Sequence, residues 1–421
     1  MNQAVSNFLS KHSFTQHLDI NTAVDALLFD MRKGINGQDA DEDMIRTWTN
    51  PPSKSVSGKS VIVIDAGGTN FRSCLVTFDE QGKAEISFME KTSMPGIEKE
   101  LSRKEFFDKL AENLEHLKGK SDSIGFCFSY PMKITEEGDG VLLGFSKEVK
   151  APEVVGSHIG KSLSDALVAH GWKKPARITL LNDTVAALLA GAAAPNIGNE
   201  YSSNIGLILG TGLNAAYIQP AINGNKDFKN QQIVVCESGK FCEIVRSDFD
   251  KELDTHTVKP GTFFMEKVCS GAYLGPQAFY ALQAAAKDGY LSEKCAKAVL
   301  QLEKLTLIEL DAFLHAPYNK GSTIGKLCSE SATNEDYEFI FETLDAIVER
   351  SARYAATILT ACVIQSGKGK EASKPVCILC NGTTYHKTYK IAERVKGYLE
   401  QYLTTERGLF WETMIRIVQS I

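Results

Sequence analysis

The hydrophobic pattern of the chain switches repeatedly between the period of a strand and the period of a helix. Residues 61–72 read Val-Ile-Val-Ile-Asp-Ala-Gly-Gly-Thr-Asn-Phe-Arg. The β-branched start predicts a strand buried on both faces, and Gly67 and Gly68 predict a tight turn with backbone freedom that no side chain allows. Residues 72–78 alternate as a hairpin partner, 79–82 form a turn and 84–89 a third strand, so an antiparallel meander surrounds the glycine turn. Apolar residues at 106, 107, 110, 114 and 117 then recur at helical spacing, with Ser102 and Glu105 as a capping box. Strands are predicted over 124–128 and 177–181 and a helix over 159–170, followed by an alanine-rich helix over 184–191.

The pattern then repeats in kind. Residues 204–214, Asn-Ile-Gly-Leu-Ile-Leu-Gly-Thr-Gly-Leu-Asn, form a strand breaking into a second glycine turn, with 215–218 as its partner. A long apolar helix over 337–365 leads to a strand at 376–381 that ends in Gly382-Thr383. Before the first strand, Val24, Leu27, Leu28 and Met31 make a helical stripe that Gly34 and Gly37 terminate. Residues 51–60 read as a linker and 410–418 as a last helix.

Both glycine turns suit an anion, because bare backbone N–H groups can cradle phosphate oxygens. Thr69 and Asn70 add polar groups to the first, and Asp65 at the strand end could hold a hydrated magnesium ion. One such turn is weak evidence, while a pair flanking a shared cleft is much stronger. Asp183 follows a strand and opens a helix, where its carboxylate would face that cleft. Asn-Asp-Thr is equally good capping chemistry, so the residues alone leave base and cap open.

With 421 residues and 43% hydrophobic content, two globular domains are expected. A net charge of −6 with dispersed cations gives no footprint for nucleic acid or an anionic membrane, which leaves small molecules or proteins as partners. No apolar run approaches a bilayer span and no signal segment is visible, so a cytoplasmic protein is expected. The ten cysteines sit mostly in apolar runs and read as reduced and structural. Cys377 and Cys380 form a CxxC inside a predicted buried strand, with no second pair at zinc spacing.

Five ordered segments resemble the hexokinases of the actin-like sugar kinase superfamily. They are 65–72 with the first phosphate motif, 126–131 continuing to Gly140, Ser146 and Lys147 with the sugar segment, 181–184 with the catalytic segment, 206–214 with the second phosphate motif, and 381–385 with the adenosine segment. The resemblance implies two actin-like, ribonuclease H-like α/β domains hinged around a central cleft. A small domain would span 55–182, completed by a C-terminal helix at 408–421, and a large one 1–54 and 183–407. It implies transfer of the γ-phosphoryl group of ATP, with Mg2+, to the 6-hydroxyl of a hexose, D-glucose first among them, at the entry to glycolysis, by a monomer or homodimer.

By the same resemblance Asp183 is the general base. Ser129, Ser146, Lys147, Asn182, Asp183, Asn214, Glu237 and Glu266 are the sugar contacts. Asp65, Gly67, Gly68, Thr69, Asn70, Arg72, Gly210, Thr211, Gly212, Gly271, Gly382 and Thr383 bind ATP, with Asp65 reaching the metal through water. Departures from the family pattern fall at Ile134, Phe145, Glu148, 238–241 and Asn381, and those near the sugar are expected to support rather than touch it. Two alternatives stay open: a kinase for fructose, mannose or an amino sugar, and a sugar sensor without catalysis. A sensor is expected to lack the base or a phosphate turn, and Asp183 and both turns are present.

Overall fold

The computed structural model describes residues 2–51, 57–145, 149–192 and 201–414. Its strands in chain order are β1 (Ile45–Arg46), β2 (Ser60–Gly67), β3 (Asn70–Phe78), β4 (Ala84–Ser93), β5 (Ser123–Phe128), β6 (Met132–Ile134), β7 (Gly140–Leu142), β8 (Arg177–Leu181), β9 (Ser203–Leu209), β10 (Leu213–Gln219), β11 (Gln232–Val235), β12 (Val376–Asn381) and β13 (Trp411–Met414). They form two large sheets, ordered β4-β3-β2-β5-β8 and β1-β11-β10-β9-β12-β13, with β6 and β7 as a separate hairpin.

The two sheets share one plan. In the first, β2, β3 and β4 pair antiparallel, and β5 and β8 add on in parallel. In the second, β9, β10 and β11 pair antiparallel, and β12 and β13 add on in parallel, with β1 as an extra edge. Each glycine turn therefore closes the first hairpin of its sheet.

The first sheet differs in one respect from the sequence expectation. Ile62, Ile64 and Ala66 are buried, whereas Val61, Val63 and Asp65 are only half-buried, so β2 is not covered on both faces. The core on the covered face comes from the helices Arg103–Asn113 and Ile159–Ala169, through Phe106, Leu110, Leu163 and Leu167. The predicted capping box starts the first of these: the Ser102 amide donates to Glu105 Oε2 at 2.9 Å.

The second sheet carries the larger core, with the 33-residue helix Asn334–Ser366 and the N-terminal helices Gln3–Lys11 and Ile20–Ile35 contributing to it. The predicted stripe of Val24, Leu27, Leu28 and Met31 is buried there. The helix Asp183–Ala192 follows β8 of the first sheet but packs on the second, through Val185 and Leu188 against Ala216, Ile233 and Val235. Gly206 permits this closeness, since a Cβ there would lie 2.6 Å from the Thr184 carbonyl oxygen. Asn182 and Asp183 thus mark the crossing from one sheet to the other.

A correction applies at the C-terminus. Residues 411–414, expected in a helix completing the small domain, form β13, paired from Val376↔Trp411 to Leu379↔Met414 in the second sheet. Gly408 at φ 61° stops helical backbone, and the bulky, partly β-branched Trp-Glu-Thr-Met run suits an edge strand. Backbone bonds then fix the segment, from Val376 N–H to Phe410 O at 2.9 Å and from Phe410 N–H to Gly369 O at 2.7 Å. The rest of the predicted helix, 415–421, lies outside the described residues, as do 52–56 of the predicted linker. Among the described residues no helix is long and apolar enough to cross a membrane.

Candidate active site

At the ends of β5 and β8 in the first sheet, and of β9, β10 and β11 in the second, a cavity of about 570 Å³ opens. Ser129, Asn182 and Asp183 line it from one side, and Gly212, Asn214, Glu237 and Glu266 from the other. Six predicted sugar contacts therefore meet in one space. The other two, Ser146 and Lys147, lie outside the described residues.

Asp183 occupies the first turn of its helix, where the Thr184 amide donates to Asp183 Oδ1 and to Asn182 Oδ1, both at 2.8 Å. The Thr184 hydroxyl donates to the same Asp183 oxygen at 3.2 Å. These bonds favour the carboxylate, yet burial outweighs them, and the negative charge of Asp65 adds to it, so the Asp183 pKa is raised. Cys127 on β5 registers both acids, its thiol pushed well up by burial and then by the charges of Asp183 and Asp65. Asp183 is half-buried and lines the cavity. A carboxylate so placed is a better proton acceptor than a freely solvated one.

Asn214 and Glu237 are locked together. The Asn214 side-chain amide donates to Glu237 Oε1 at 2.7 Å, and the Glu237 backbone amide returns a bond to Asn214 Oδ1 at 3.0 Å. Glu237 needs this support because its backbone lies at φ 60°, in the left-handed region. Glu266 accepts from the Leu213 amide at 3.1 Å and lies against Gly212, where a Cβ would come within 2.9 Å of Glu266 Oε2. Burial raises the pKa of both glutamates, against the Asn214 bond in one case and the Leu213 bond in the other.

The predicted nucleotide residues fall into two groups. In the first turn, Arg72 Nη1 donates to Asp65 Oδ2 at 3.0 Å, and the Tyr130 hydroxyl donates to the Gly68 carbonyl at 3.0 Å. Gly67 lies so close to Ser129 that a Cβ would be 2.8 Å from that side chain, while Gly68 at φ 57° and Thr69 are exposed. Asn70 is half-buried at the start of β3. In the second, Gly210 is a hub: its carbonyl accepts from the Gly271 amide at 2.8 Å and from the Thr384 hydroxyl at 2.8 Å. Ala272 N–H bonds the Thr211 carbonyl at 3.2 Å, and a Cβ on Gly382, at φ 116°, would lie 2.2 Å from the Leu209 carbonyl oxygen. Thr383 opens the helix Thr383–Lys387 with an exposed side chain.

For a metal, the donor set is sparse. Among the described residues no group of three or more His, Cys, Asp or Glu side chains could hold an ion. Asp65 is one-third exposed and shares an oxygen with Arg72, which suits a water-mediated hold on a metal delivered with a polyphosphate.

Several lining residues had no signal in the sequence reading. Asp43, Ile45 and Thr47 reach the cavity from the segment around β1, and Lys259 and Phe263 from a loop. Ile134 and Lys240, expected only to support the sugar, line it directly. Lys240 pairs with Asp43 at 2.5 Å.

Comparison with known proteins agrees along almost the whole chain. Two family models, each described as Hexokinase, match residues 4–193 and 204–420. Hexokinase-1 of Schizosaccharomyces pombe (strain 972 / ATCC 24843) is 27% identical over 413 residues, covering 92% of this chain and 83% of that protein. Hexokinase-5 of Oryza sativa subsp. japonica is 28% identical over 373 residues, covering 82% and 72%. Among solved structures, a hexokinase from Schistosoma mansoni complexed with glucose matches with a TM-score of 0.76 at 21% identity, over 98% of this chain and 96% of that one. A further hexokinase crystal structure matches at 0.78 and 19% identity, over 99% and 97%. Those likenesses establish the fold, two α/β domains of the actin-like sugar kinase type, and together with the tandem family models they mean that this chain belongs to the hexokinase family, phosphotransferases that act on hexoses.

Proposed function

We propose that the enzyme transfers the γ-phosphoryl group of ATP to the 6-hydroxyl of D-glucose, giving glucose 6-phosphate and ADP, with Asp183 as the general base. The observation that carries this reading is the position of Asp183: its pKa is raised, and it shares one cavity with Asn182, Asn214, Glu237 and Glu266. Hydroxyls both donate and accept, so a wall of amides and carboxylates can pair with several of them at once. Ser129, Ser146 and Lys147 complete the proposed set. The glucose bound by the Schistosoma mansoni hexokinase is further support.

In the proposed reaction the hexose is held with its 6-hydroxyl at Asp183, which accepts the proton as that oxygen attacks phosphorus. Positioning and charge stabilisation supply most of the catalysis in such transfers. The backbone of Gly67, Gly68, Thr69 and Asn70 holds phosphate oxygens from one turn, and Gly210, Thr211 and Gly212 from the other. Arg72 sets Asp65, which would hold a magnesium ion brought by ATP through water, and when bound that ion would supply charge neutralisation at the phosphates. Gly271, Gly382 and Thr383 form the adenosine side. The domains proposed are 55–182 against 1–54 with 183–407.

A second hexose as preferred substrate is favoured by Ile134 and Lys240, which line the cavity where the family pattern has other residues. A coupled assay over glucose, fructose, mannose and glucosamine, with the product identified by phosphorus NMR, separates the readings. Glucose should give the highest kcat/KM and a 6-phosphate. A higher value for another sugar replaces glucose, and no turnover of any of them with ATP removes the proposal.

A further inference from the structure

Phe263 stands directly before the helix Phe264–Cys269, which carries Glu266, and is a half-buried part of the cavity wall. Its backbone lies at φ 56°, in the left-handed region, where a bulky side chain is a strained outlier. Among the described non-glycine residues with positive φ, two line the cavity, Glu237 and Phe263. Glu237 already has a role there as a proposed hexose contact.

The strain at Phe263 is held from outside. Lys267, four residues on, is buried; its amide donates to the Phe263 carbonyl at 3.0 Å, and its ammonium donates to the Lys259 carbonyl at 2.7 Å and pairs with Asp254. The other Asp254 oxygen accepts from the Gly261 amide at 2.9 Å. One buried ion pair therefore ties residues 254, 259 and 261 to the helix, and opening it would leave a buried charge without its partner. At the next turn of chain, the Met265 amide donates to the Phe241 carbonyl at 3.1 Å. A strained conformation that its surroundings enforce so thoroughly, on an aromatic residue in a cavity wall, points to a ligand.

The ring also stands beside both proposed acidic contacts. Phe263 precedes Glu266 by three residues, and the ammonium of Lys240, three residues after Glu237, lies 5.8 Å from the ring centroid. That of Lys259 lies 6.0 Å from it, so both are within cation–π range. A hexose is not polar all round: hydroxyls project from its ring, while its C–H bonds leave apolar patches on its faces. Amides and carboxylates serve the hydroxyls, whereas an aromatic ring, with its negative face and large apolar area, serves a C–H patch.

We propose that Phe263 is a further hexose contact, its ring packed on a C–H face of the sugar and held there by the clamp of Lys267 on Asp254 and the Lys259 carbonyl. The contact rests on the hexose reading given above.

The test uses the full chain without ATP. Calorimetry with glucose, fructose, mannose and glucosamine identifies the hexose that the wild type binds most tightly. With that sugar bound, NMR saturation of the aromatic protons should transfer to its C–H protons. F263L should lose the transfer at the protons facing the ring, while any from Tyr130, the other aromatic residue of the wall, persists. Losing the ring but keeping an apolar side chain should weaken binding by about twofold to tenfold, the worth of an aromatic contact beyond its buried area. F263G suits left-handed backbone yet has no side chain, so it should weaken binding by more; a role confined to shaping the backbone predicts instead that F263G binds like the wild type. In steady-state kinetics of F263L the KM for the hexose should rise by more than kcat falls. An unchanged transfer pattern in F263L, or wild-type affinity in F263G, would overturn the proposal. A wild type that binds none of the four sugars removes the proposed function and this contact with it, whereas binding that both variants leave unchanged removes the contact alone.

Discussion

Asn214 holds two things at once, the carboxylate of Glu237 and the backbone amide that keeps Glu237 in its left-handed conformation. Replacing it with alanine removes both bonds. A bond to a charged group contributes about 1.5–3 kcal/mol, so hexose affinity should fall by at least about tenfold. Calorimetry of Asn214→Ala with glucose checks this, and an unchanged dissociation constant would mean that Glu237 needs no such support. The two residues were unequally legible in the sequence. Asn214 sits in a glycine turn whose pattern is visible, but Glu237 and Glu266, taken alone, read as ordinary solvated acids. Only the order of motifs picked them out. Asp43 carried no signal, because its place at the cavity comes from what the fold brings beside it, Lys240 among them.

Among elements, those built from local chemistry were readable. The capping box at Ser102 and Glu105, the hairpin around Gly67 and the stripe from Val24 to Met31 each depend on residues a few positions apart. Elements that depend on distant partners were not. β1 has two residues and pairs with Val234 and Val235, so no alternation could announce it. β13 exists because β12 offers a parallel edge, a fact absent from residues 411–414 themselves. The turn after β12 is where an element-scale test is sharpest. Gly382 combines φ 116° with contact to the Leu209 carbonyl, so an added Cβ meets both strain and a clash. Gly382→Ala should destabilise the protein by about 1–3 kcal/mol or more, the usual cost of a strained conformation, and raise the KM for ATP. Thermal melting and steady-state kinetics measure the two effects. The affinity for hexose should change little, and an equal loss for both substrates would contradict the assignment of this turn to the nucleotide.

At the scale of the molecule, the two sheets repeat one plan, and Asn182 and Asp183 stand where the chain crosses between them. The proposed hexose contacts divide accordingly: Ser129 belongs to the first sheet, and Asn214, Glu237 and Glu266 to the second. A sugar gains its full set of bonds only when both sides reach it, and differential affinity of this kind is what shifts a hinge equilibrium. Glucose should therefore lower the radius of gyration in small-angle scattering. An unchanged radius at saturating glucose, with saturation verified by calorimetry, would contradict closure. That the chain forms two related units could be read from its two glycine turns; that the second unit contains β13 could not.

The central claim is that Asp183 accepts the proton of the reacting hydroxyl, and one experiment bears on it most directly: kcat and glucose affinity of Asp183→Ala beside the wild type, across pH. Loss of a positioned general base should lower kcat by about 100-fold to 10,000-fold, with glucose binding weakened much less. Because burial raises the Asp183 pKa, wild-type turnover should fall on the acid side at a higher pH than an ordinary carboxylate would give, and the variant should lack that limb. A variant that keeps wild-type turnover, or keeps the same acid limb, would contradict the assignment.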